Sequence, residues 1–299
     1  MSSTNSATAT AIRPRDETSL VQVPEDHLRP TTRGQELMVS MSLYFAVVIP
    51  AMLFGSFTGM FAVGLFLMGW VFHRRRTWFR TNTRLRAIRE ALASDDLGHA
   101  ARICQLLLAD VPKRSLAHTI AVGNWGVIEL RRGRPREAIT LLERVLATGR
   151  FKGRIGTLLE IGNTTGTLAL AHAIVGEVEL SRRILAQARE QFGPGREGML
   201  FMFESYLLAR EGRWSELVGH FDSQWRAAEP KLGIGTARTA RLLEAMALEH
   251  VGGDEYRSGV GDRQQRALER AREAPRGAFD YLMVEWDEGQ DFLRRHQLS

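Results

Sequence analysis

Residues 133–149 read GRPREAITLLERVLATG. A turn glycine is followed by apolar residues at intervals of four and three, Ala138, Leu142 and Val145, which form one stripe along an α-helix. The small Ala138 admits a second helix at close range, and Leu142 and Val145 continue the same buried face. The preceding residues, from Thr119 through Trp125 to Leu130, are apolar enough to be that second helix, so 119–149 reads as a helix, a turn and a helix. The same alternation runs from Thr83 onward, and no stretch shows the period of two that marks a strand. Turns fall near Asp95–Asp96, Gly133, Gly176, Gly212 and Gly252–Gly253. The intervals are 38, 43, 36 and about 40 residues, a period that means stacked helix pairs. One pair cannot bury its apolar face alone, and a stack of several makes a continuous core. The fold class expected is all-α, an α-solenoid of antiparallel helix pairs.

These residues resemble the tetratricopeptide repeat family. The clearest copy holds Trp125–Gly126, the turn Gly133 and the small Ala138. Upstream, DDLGHAARICQLLLADVP (95–112) places Ala100 and the closing Pro112 at the family's spacing. Weaker copies occupy 160–193 and 198–230, and a last, irregular pair covers about 236–275. Two departures stand out, because Ser181 and Leu217 occupy positions where the family has a small alanine. The resemblance spans residues 83–275, and the aromatic-rich segment 276–299 reads as a C-terminal cap. It implies a concave groove lined by the first helix of each pair. The groove positions are Val127 and Arg131 in the clearest repeat, Asn163 in the next, and Met202, Tyr206 and Arg210 in the third. The partner implied is a protein or peptide held by its backbone or by an acidic group.

Ahead of the repeats, residues 37–72 contain no charged side chain. A spanning helix needs about 20 apolar residues, so this segment is expected to cross a membrane. As one helix it would measure roughly 54 Å. A single span over about 48–72 is the favoured reading, and a re-entrant hairpin turning at GSFTG (55–59) is the alternative. Gly55 and Gly59 form a GxxxG pair that would let two copies dimerise in the bilayer. Residues 1–36 are polar, contain Pro14, Pro24 and Pro30, and read as a disordered tail.

Charge sharpens the picture. Residues 74–89 carry seven arginines and no acid, whereas 1–73 sum to −1 and 90–299 to zero, so the +6 net charge sits in one short helix. That clustering excludes the spread basic footprint of a nucleic-acid-binding domain. It fits the positive-inside rule and puts the C-terminal domain in the cytoplasm, as for a bacterial inner-membrane protein. Arg74, Arg75, Arg76 and Arg80 are the expected contacts to lipid headgroups.

Motifs for chemistry are missing. The sequence holds no phosphate loop, zinc helix or nucleophile turn. His118, His172, His220 and His250 fall in different repeats, and the one cysteine, Cys104, reads as a small buried hydrophobe. No enzyme activity, cofactor or metal is expected. The function expected is a membrane-anchored protein–protein interaction scaffold. The alternatives are a membrane-shaping protein with a hairpin anchor and an enzyme with an unrecognised site.

Overall fold

The computed structural model describes residues 57–113, 115–151, 158–191, 197–252 and 259–299. They form α1 (Phe57–Ala93), α2 (Leu97–Asp110), α3 (Leu116–Arg131), α4 (Pro135–Ala147), α5 (Leu158–Ile174) and α6 (Val178–Gln191). The row continues with α7 (Glu197–Arg210), α8 (Trp214–Ala228), α9 (Ile234–Val251), α10 (Gly259–Arg272) and α11 (Asp287–Arg295). Among the described residues there is no strand. Consecutive helices pack as pairs, and each first helix also touches the first helix of the next pair: α1 with α3, α3 with α5, α5 with α7, α7 with α9.

The turns inside the pairs share one hydrogen-bond pattern. Asp95, Gly133, Gly176 and Gly212 all have positive φ, between 60° and 82°. At each, the residue's own N–H bonds three positions back, and the next N–H bonds five positions back, as in Gly133 to Leu130 and Arg134 to Glu129. This is the Schellman motif, which satisfies the last helical carbonyls and stops the helix. Four of the expected turns therefore lie where the sequence places them. The fifth expected turn, at Gly252–Gly253, falls partly on Gly253, which lies outside the described residues.

Close packing follows the small residues. A Cβ built on Gly126 would meet Leu142 at 3.0 Å, so α3 and α4 approach through Gly126 and the fully buried Ala138. Gly166 on α5 is tighter still, with Phe203 of α7 at 2.2 Å. The departures at positions 181 and 217 are absorbed in different ways. The Ser181 hydroxyl is buried and donates to the Ala169 carbonyl at 2.7 Å, tying α6 to α5. Leu217 is fully buried, and α7 carries the small buried Ser205 and Ala209 in the same pair. Cys104 is buried and donates to the Ala121 carbonyl, and burial pushes its thiol up to about 12.

The segment after α10 does more than close the end of the row. It runs back beside the pair turns, through a 3₁₀ turn at Asp280–Leu282 into α11. Leu282 and Met283 are fully buried, and Phe279, Phe292 and Leu293 nearly so. Glu285 pairs with Arg136 of α4 at 3.1 Å, and its carbonyl accepts from Arg210 of α7 at 3.1 Å. Trp286 stacks on Trp214 and meets Tyr206 edge-on. The C-terminal segment thus clamps the second pair to the fourth.

Helix α1 is the outlier. Its last turns join the core through Leu85, Ile88, Ala91 and Leu92, spaced at three and four. Ahead of those turns, Leu65, Met68, Val71, Phe72, Trp78 and Phe79 are all more than half exposed. Among the described residues, no helix is long and apolar enough to cross a membrane. The first twenty residues of the uncharged run, 37–56, lie outside the described residues, as do the tail 1–36 and Gly55, while Gly59 lies within α1.

Candidate functional site

The concave side of the row is not an open groove. The start of α9 reaches the end of α1, where a Cβ on Gly235 would lie 4.0 Å from the Ala93 carbonyl. The C-terminal segment covers another side with Ala278, Phe279 and Tyr281. What remains is a chamber of about 340 Å³ lined by α1, α3, α5, α7, α9 and this segment. A second chamber, of about 300 Å³, shares Val127, Arg131, Thr167, Met199, Gly235 and Thr236 with the first.

Of the six groove positions read from the sequence, four line these chambers. Val127 and Arg131 line both, Met202 the first and Asn163 the second. The other two face the C-terminal segment. Tyr206 is fully buried and donates to the Leu282 carbonyl, and Arg210 bonds Glu285 and lies over the Trp286 ring. Both lie on α7, and their partners lie 76 and 75 residues further along the chain, beyond the reach of spacing within one repeat.

The chamber walls are apolar with a few polar groups. Leu170, Met199, Met202 and Phe203 supply the apolar surface. Arg131 donates to the Leu92 carbonyl at 2.5 Å and sits 3.7 Å from Asp95, so it braces the first turn from the inside. Arg238, on the first turns of α9, also lines the first chamber. Its Nη2 is 3.6 Å from Glu273, and its Nε is buried with no acceptor. In the second chamber, Asn124 Nδ2 and Asn163 Oδ1 are buried without partners, one a donor and one an acceptor. Asn124, Arg238, Thr236 and Tyr281 escaped the sequence reading. Only the curvature that brings α9 against α1 puts them together.

Arg75, Arg76 and Arg80 lie on α1 ahead of its packed last turns and are exposed. Further along, Arg84 pairs with Asp110 of α2 and Arg86 with Glu90. Arg74 lies on the same helix. The histidines belong to separate pairs: His172 meets Glu177, His220 stacks on Phe201, and His250 stacks on Trp214. Among the described residues, no group of three or more His, Cys, Asp or Glu is placed to hold a metal.

The fold defines an all-α protein of consecutively packed helix pairs. No protein-family model matches the chain, and comparisons with curated proteins and with solved structures find no match.

Proposed function

We propose that the chain is a membrane-anchored scaffold for protein–protein interaction, whose tetratricopeptide-like repeat domain is held on the cytoplasmic side of a bilayer by the segment 37–72. One observation carries this reading. The exposed half of α1 joins an apolar rod, from Leu65 to Phe72, directly to exposed arginines at 75, 76 and 80 with no acid among them. Apolar side chains exposed at this density have a cost in water that a bilayer removes. Arginines at the end of such a rod suit anionic headgroups. Trp78 and Phe79, both exposed, suit the interface between tails and water. From Phe72 to Leu85, where packing begins, the helix rises roughly 20 Å. That length carries the repeats clear of the headgroups and leaves their outer faces open to a partner.

The test has two parts. Expressed in bacterial cells, the full chain should stay in the membrane pellet after alkaline carbonate extraction, and a protease added outside should cut a tag at residue 1 but not one at residue 299. Photo-crosslinkers in place of Leu106 and Ile234, exposed on the repeat domain, should capture the same cytoplasmic protein repeatedly. Full release by carbonate would end the anchor reading, and crosslinks to lipid alone would end the scaffold reading.

A further inference from the structure

The two chambers, open to solvent on part of their walls, suit a different occupant from a protein partner. A space of about 340 Å³ lies at the small end of the range for small-molecule sites. It is bordered on two sides, by the close approach of Gly235 to Ala93 and by the segment 278–281. Its lining is charged in one direction. Arg89, Arg131 and Arg238 line the two chambers, against one acid, Asp95, which lies 3.7 Å from Arg131. The Arg238 guanidinium is the group left short. Its contact to Glu273 is long, and a buried N–H without an acceptor loses hydration and gains nothing in return. Beside it stand Met199, Met202 and Phe203, adaptable apolar surface for the body of a ligand.

We propose that this chamber binds a small amphipathic carboxylate, with the anion on Arg238 and the apolar body against Met199, Met202 and Phe203. Guanidinium–carboxylate bonds are short, charge-assisted and directional, and they strengthen where water is excluded. A carboxylate supplies the acceptor that the buried Arg238 Nε–H lacks. The proposal stands apart from the anchor: it holds whether or not residues 37–72 enter a bilayer.

The probe is 4-phenylbutyrate, titrated into the full-length chain in non-ionic detergent and followed by calorimetry and saturation-transfer NMR. The expected result is saturable one-to-one binding with a Kd of about 1 mM or tighter. The uncharged analogue 4-phenylbutanol should bind about tenfold more weakly, and Arg238→Gln should weaken the acid by a similar factor. Thr236 lines both chambers from the partly exposed first turn of α9, so Thr236→Trp fills them and should abolish binding. Circular dichroism confirms that each variant is folded, and Thr236→Trp serves if Arg238→Gln is not. Failure to saturate at about 10 mM would overturn the proposal. So would binding that survives Thr236→Trp, or equal affinity for the alcohol.

Discussion

The hydroxyl of Tyr206 on α7 donates to the carbonyl of Leu282, 2.5 Å away, joining positions 76 residues apart. Both residues are fully buried, so the bond fastens the returning C-terminal segment to the middle of the row. Tyr206→Phe keeps the ring and deletes the donor, leaving a buried carbonyl unsatisfied. The expected loss is about 1–3 kcal/mol in urea unfolding, with the m-value unchanged. A loss within error would mean that this bond does not hold the strap.

Glycine at the turn of the second pair is required by its backbone. Gly133 has φ +77°, and a Cβ there would also meet Val284 at 3.3 Å. Gly133→Ala should cost about 1–2 kcal/mol. Gly219, inside α8 with nothing within 4 Å, is the matched control. Gly219→Ala should raise stability by about 0.5–1 kcal/mol. Thermal melts of the two variants should therefore move in opposite directions.

Acid should weaken the fourth pair through His220. Its imidazole stacks on Phe201 at 4.7 Å, and burial holds its pKa below the ordinary 6.5, with the Glu204 carboxylate pulling the other way. In the unfolded chain the ring takes its proton near 6.5, while the folded ring resists. The unfolded state then binds more protons, so stability is complete above 6.5 and falls as pH drops from there toward the folded value. His220→Gln should flatten the melting temperature between about pH 6.5 and 5. An unchanged slope would place the titration elsewhere.

The orphaned acceptor of Asn163 gives a prediction of opposite sign. Its Oδ1 is buried at the second chamber without a partner, so the native residue contributes desolvation with no bond. Asn163→Leu removes that atom and adds apolar surface. Stability should hold or rise by up to about 1 kcal/mol. A fall larger than that would mean that the side chain is bonded in the folded protein.

Much of the row was legible in advance because its signals are local. Gly133, Gly176 and Gly212 mark turns through their own backbone freedom, and Ala138 marks a close crossing through its own size. Helical spacing from Leu85 to Leu92 marks a buried face in the same way. The path of residues 275–299 was not legible. Phe279, Leu282 and Trp286 announce burial, but which helices they bury against depends on contacts far along the chain. The site shared that fate. Val127, Arg131, Asn163 and Met202 lay on recognisable helices, whereas Arg238 joined them only because the row bends until α9 meets α1.

Between Trp70 and Ala93, helix α1 contains neither glycine nor proline. A helix without such breaks bends only gently and does not swivel. Its far end supplies Ala93 to the chamber wall, the turn after it supplies Asp95, and the Leu92 carbonyl is gripped by Arg131. The rod is therefore one stiff piece: the exposed apolar turns and the Leu92 carbonyl that Arg131 grips belong to a single uninterrupted helix.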